Sequence, residues 1–423
     1  MRLFKVIIVC IFTFAGFLAK GQSQLTLIKE NLPFARSLEL KVKPNTLYTN
    51  LIPNFTYSSL SIAFENKEID NAYIFLGPTQ KERIIFDEHN VDFHSGLLIA
   101  DKTQEVFSFF SGNFEGKVIF KLLFAPPATK ASKKKDQENA FSEGNKPETI
   151  DQSIWREGLP DPKPNPDTHQ VYHTIIHHSA GSNSDKDYTK VVRNIYLFHT
   201  QNNGWDDIGY NFVIAQNGQI FDGRDNQGVA DEDNIKGAHF CGKNNNTMGV
   251  CLLGNYETTQ PTDATLSSLA NLLAWKFPKE KISPFDYFQH PRNTQNALYL
   301  PALGGHRDGC STLCPGENIF SIIPEIKEKV CLKMDSCQVP IASIKNEDGP
   351  KINVFPNPTR GKIQIMSENQ INSISIYSFD GRLIQIKSGS SEIDLTPLND
   401  GMYLLNIHLE NGLETFQKVL KQD

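Results

Sequence analysis

Thr174-Ile175-Ile176-His177-His178 places two imidazoles at the end of a short apolar run. The run is β-branched, so it reads as a buried strand, and its histidines fall where a side chain can leave the sheet edge for a cleft. Downstream the period changes. Residues 187–203 space Val192, Ile195, Tyr196 and His199 helically, and Gly204 stands where such a helix would end. Residues 210–215 are strand-like again and run into an Asn217-Gly218 turn, and 247–254 read as a further buried strand. Residues 266–277 and 318–332 read as amphipathic helices. Strands interleaved with helices predict an α/β domain over residues 152–338, a central mostly mixed β-sheet flanked by helices.

On either side the composition differs. Residues 24–127 carry aromatic and β-branched segments at 72–76, 97–100, 106–110 and 117–124, broken by Gly, Asn and Asp, which predicts an N-terminal all-β domain. His89 and His94 within it read as polar loop residues between strands. Residues 128–151 hold Lys133-Lys134-Lys135, acids and few apolar residues, and read as a linker. Residues 350–423 show short alternating segments and Asx-Gly turns at Asp380-Gly381, Asp400-Gly401 and Asn411-Gly412, which predicts a small C-terminal all-β sandwich module. Three such units suit a chain of 423 residues at about 150 residues per domain.

Residues 1–21 read as an export signal: Arg2 and Lys5 precede an apolar run at 6–18, and Ala19 and Gly21 follow at signal-peptidase spacing. The run is short for a bilayer span, and no later stretch reaches transmembrane length. A formal net charge of -6 over this length argues against a nucleic-acid binder. Without Cys10, six cysteines remain: Cys241, Cys251, Cys310, Cys314, Cys331 and Cys337. Cys331 and Cys337 could close a small loop, and the other pairings stay open.

Gly305-His306-Arg307-Asp308 precedes Cys314-Pro315-Gly316, with Gly309 and Pro315 allowing a loop that folds back. Imidazole and thiolate both bind zinc, and three protein ligands plus water make a hydrolytic site where four make a structural one. A disulfide at Cys314 is the competing reading. Gly204-Trp205-Asp206-Asp207-Ile208-Gly209-Tyr210-Asn211-Phe212 then puts a tyrosine after a Gly-rich turn, from which its hydroxyl could reach the same cleft.

In this order the pieces resemble the zinc-dependent N-acetylmuramoyl-L-alanine amidases of type 2, the family that includes the peptidoglycan recognition proteins. The resemblance runs over residues 153–332, through Ile175-Ile176-His177-His178-Ser179-Ala180, 204–212, Asp222-Gly223-Arg224, Gly237-Ala238-His239, 249–255 and 305–316. It implies a Zn2+ cofactor on His177, His306 and Cys314, with His177 and not His178 as the binder. It makes Tyr210 the catalytic tyrosine and puts Thr312 near the zinc-bound water. His199, His239 and Asn244 match the muropeptide groove, while Gly204, Trp205 and Arg224 match the set that favours diaminopimelate peptides. The loop at 225–236 is longer than in animal members. The C-terminal module resembles the type A sorting domain of the type IX secretion system, through Pro356-Asn357-Pro358, Ser378-Phe379-Asp380-Gly381, Leu398-Asn399-Asp400-Gly401-Met402-Tyr403 and the end at 418–421. The expected partners are therefore peptidoglycan muropeptides and the type IX secretion machinery. The expected activity is hydrolysis of the amide between N-acetylmuramic acid and L-alanine, with a non-catalytic peptidoglycan-binding or adhesin protein as the alternative.

Overall fold

The computed structural model describes residues 25–31, 33–65, 69–77, 80–84, 95–128, 146–224, 234–291, 298–334, 352–378, 383–410 and 414–422. The export signal, His89 and His94, the lysine triplet and Cys337 lie outside them, as do most of the linker and of the loop before His239.

The sheet around the opening histidines has five strands. In chain order they are β1 (His173–His178), β2 (Phe212–Ile214), β3 (Ile220–Asp222), β4 (Thr247–Leu252) and β5 (Leu303–Gly305), and their spatial order is β3-β2-β4-β1-β5. All contacts are parallel except β2 with β3, so the sheet is mixed. Alternate residues of β4 enter two different cores, as the two-residue period of a strand requires. Met248, Val250 and Leu252 pack with α2 (Asp263–Glu280) and α3 (Ile323–Cys331). Cys251 packs with α1 (Tyr188–Leu197). A sheet covered on both faces is what near-continuous apolar strands imply.

Two helices differ from the sequence reading. The segment at 318–332 divides into a single turn, Glu317–Phe320, and α3, because Pro324 has no amide to continue a helix but suits the first turn of a new one. At the end of α1 the chain widens, with the Asn203 amide donating to the Phe198 carbonyl, before Gly204 turns it at φ +72°.

The flanking regions are all-β. Residues 26–123 form two antiparallel sheets that share a core of Phe107, Phe109, Phe114 and Phe120. Leu123 and Ala125 join the core of α1, where Ser58 Oγ also donates to Asn194 Oδ1 at 2.7 Å. Residues 352–421 form a three-stranded and a four-stranded sheet around Ile363, Ile374, Ile376 and Leu405. Among the described residues no helix is long and apolar enough to cross a membrane.

Candidate metal centre

β1 and β5 are parallel neighbours, with Ile176 opposite Gly305. The next residue of each chain segment, His177 and His306, therefore meets its counterpart at the carboxyl edge of the sheet, ring centroids 4.3 Å apart. Cys314 returns to them through a loop closed by the Arg307 amide donating to the Cys314 carbonyl at 3.1 Å. Thr312 Oγ1 accepts the Cys314 amide at 3.0 Å, which fixes the start of the turn that presents the thiol. Cys314 Sγ in turn accepts the His178 amide at 3.3 Å.

All three side chains are buried, and their ligand atoms lie within 4.8 Å of one another. His177 Nδ1 stands 3.7 Å from Cys314 Sγ. A tetrahedral zinc with Zn–N of ~2.0–2.1 Å and Zn–S of ~2.3 Å would hold such a pair about 3.6 Å apart. The donor set therefore fits zinc by both chemistry and spacing. Strand alternation sends His178 to the opposite face, where its Nδ1 accepts the Tyr256 amide at 3.2 Å. Cys241, His306 and Cys310 form a second close group, but Cys241 and Cys310 are joined as a disulfide and offer no thiolate. Cys331 is also disulfide-bonded, whereas Cys251 and Cys314 are not.

Tyr210 precedes β2, its ring 5.2 Å from that of His177 and 5.5 Å from that of His199. It is partly exposed and hydrogen-bonds the Cys251 thiol, which burial keeps in its neutral form. Cys251 was missed by sequence reasoning. It lies within an unbroken apolar strand, and only the register that sets it opposite His177 brings it to the site.

A second group continues outward from Tyr210. His199 Nδ1 accepts the Gly209 amide at 3.0 Å, and the half-exposed indole of Trp205 stacks on its ring at 4.6 Å and 32°. Gly204 adjoins open space. Arg224 is buried, donating to the carbonyls of Ile208 and Asp207 at 2.9 and 3.2 Å. His239 and Asn244 adjoin His177. His239 Nδ1 is 3.0 Å from His177 Nε2, and Asn244 Oδ1 accepts the amides of His239 and Phe240, both at 2.8 Å.

Burial first, then the Arg224 charge, pushes the His199 pKa down to about 3. The folded state thus resists a proton that the unfolded chain takes up near pH 6.5, so stability falls as pH drops below that value. Between pH 7 and pH 5 this group alone should remove about 2 kcal/mol. Urea unfolding at the two pH values measures the loss, and His199→Phe should abolish this share. An identical pH dependence in wild type and variant would refute it.

Fold and site together define an α/β protein with three buried side chains at the carboxyl edge of its sheet that could hold a metal ion. The family model for N-acetylmuramoyl-L-alanine amidase matches residues 167–317, and that for a secretion system C-terminal sorting domain matches residues 353–422. Peptidoglycan-recognition protein SC2 of Drosophila melanogaster is 32% identical over 153 residues, 36% of this chain and 71% of that protein. Mouse peptidoglycan recognition protein 1 is 30% identical over 177 residues, 41% of this chain and 85% of that one. Human N-acetylmuramoyl-L-alanine amidase is 31% identical over 132 residues, 31% of this chain and 19% of that one. Among solved structures, Drosophila PGRP-LB matches with 30% identity and a TM-score of 0.33, covering 42% of this chain and 92% of that chain. The chain belongs to the family of N-acetylmuramoyl-L-alanine amidases and peptidoglycan recognition proteins, and it carries a type IX sorting domain, which implies export from the cell or display on its surface.

Proposed function

We propose that the chain is an exported zinc hydrolase that cleaves the amide between N-acetylmuramic acid and L-alanine in peptidoglycan. The observation that carries this reading is the buried set of His177, His306 and Cys314, among the described residues three protein donors where a structural zinc would have four. A zinc held by these three residues would supply Lewis acidity and make water a nucleophile near neutral pH. His177 and His306 hold their positions because adjacent parallel strands end beside each other, and Cys314 because its loop closes on Arg307. Tyr210 lies beside His177 and remains partly open to solvent, so its hydroxyl is assigned as donor to the carbonyl oxygen as charge develops on it. Thr312 sets the cysteine turn. Gly204, Trp205, His199 and Arg224 form the approach, where the exposed indole offers a face to sugar or peptide.

The segment at 1–21 and the sorting domain would export the enzyme in two steps, across the inner and then the outer membrane. Incubation with diaminopimelate-type peptidoglycan, with and without chelator, tests the activity. New L-alanine amino groups should appear only without chelator. Their absence with zinc-loaded protein would overturn the reading, and new reducing ends would indicate a glycosidase instead.

A further inference from the structure

We propose that His239 is a positioning residue for His177, fixing that ring's tautomer and plane through a one-way hydrogen-bond chain that ends inside the protein. The inference rests on the reading of His177 as a zinc ligand and extends it to a residue that is not among the three donors.

His177 turns Nδ1 toward Cys314 Sγ at 3.7 Å and Nε2 toward His239 Nδ1 at 3.0 Å. A metal on Nδ1 needs that lone pair, so the ring proton must sit on Nε2, and His239 Nδ1 must accept it. The proton of His239 is thereby placed on Nε2, which lies 3.3 Å from Thr247 Oγ1. The Thr247 hydroxyl then donates to the Asn244 carbonyl at 2.9 Å. Each link has a single proton and a single direction. Because the last acceptor is a backbone carbonyl, the chain can orient groups but cannot pass a proton to solvent.

The surroundings hold the ring in this pose. A Cβ on Gly249 would lie 2.6 Å from two His239 ring atoms, and one on Gly237 would lie 2.6 Å from Cδ2. The two glycines thus make the slot that the imidazole fills. Asn244 serves both ends: its side chain takes the His239 and Phe240 amides, and its carbonyl terminates the chain. His239 is 7% exposed and both its ring nitrogens are engaged within the protein. That separates it from Trp205, whose exposed face can meet substrate.

Two substitutions and two spectra test the assignment. Asn places Oδ1 near the position of imidazole Nδ1, so His239→Asn keeps the acceptor for His177, whereas His239→Leu keeps bulk and loses it. Zinc affinity, measured by chelator competition, should weaken about 10–100-fold in His239→Leu. It should return to within about threefold of wild type in His239→Asn, with thermal melts checking that both variants fold. Cobalt-substituted His239→Leu should show shifted ligand-field bands, and His239→Asn should not. In zinc-loaded wild type, nitrogen-15 NMR should find His239 protonated on Nε2 and bare on Nδ1. Wild-type zinc affinity and an unshifted cobalt spectrum in His239→Leu would overturn the inference, as would the opposite tautomer. Wild-type protein that binds no zinc would instead remove the ligand reading beneath it, so the two failures are distinguishable.

Discussion

Replacing Cys314 by serine is expected to take release of L-alanine amino groups from peptidoglycan below detection, a fall on the order of 10³-fold or more. As a zinc ligand Cys314 would supply the one formal charge among the three donors, and a buried serine hydroxyl does not ionise to replace it. The substitution changes little else. Cys314 is positioned by its own amide donating to Thr312 and its carbonyl accepting from Arg307, and the His178 amide that donates to its sulfur can also donate to a serine oxygen. The variant should therefore melt like zinc-stripped wild type and still sediment with peptidoglycan, since Trp205 and His199 do not depend on the thiol. Metal analysis of both proteins after dialysis gives the second readout, with zinc retained by wild type and depleted in the variant. A serine variant that hydrolyses at the wild-type rate with full zinc would eliminate Cys314 as a ligand.

The part of this site legible in the sequence was the part carried by short stretches. An apolar run ending in two histidines declares a strand and its edge, and Gly305-His306 with Cys314-Pro315 declares a loop that can return. Strand alternation then separates His177 from His178 once the sheet is known. What depends on pairing between distant strands was not legible. Cys251 reads as core because all its neighbours in β4 are buried, yet its register opposite His177 makes it the partner of the Tyr210 hydroxyl. His239 and Asn244, matched to a groove by resemblance, are tied to His177 and to the backbone by hydrogen bonds that only the fold reveals. The Cys241–Cys310 disulfide, with a sequence separation of 69, was one of several open pairings, and only the fold brings its two loops together. The divided helix before Cys331 is a local failure: the apolar spacing is helical throughout, but Pro324 overrides it.

Tyr210→Phe is the change expected to separate chemistry from binding. It removes one oxygen and keeps the ring that packs beside His177 and His199. If that hydroxyl donates to the oxygen of the scissile carbonyl, its loss should lower kcat about 10²–10³-fold, the usual cost of one such donor. Zinc content should be unchanged, because Tyr210 is not among the three donors. KM should move little, because the interaction strengthens only as charge develops. A purely structural tyrosine would behave differently. Its hydroxyl is held by the Cys251 thiol, and deleting it would then register in the melting temperature and leave kcat nearly intact. Cys251→Ala is the matching control: it frees the hydroxyl without deleting it, so kcat should fall by less than in Tyr210→Phe. Steady-state kinetics on a soluble muropeptide, with both variants melted alongside, decides between the two roles. A Tyr210→Phe enzyme within about threefold of wild-type kcat would mean that zinc and its ligands polarise the carbonyl without help from this residue.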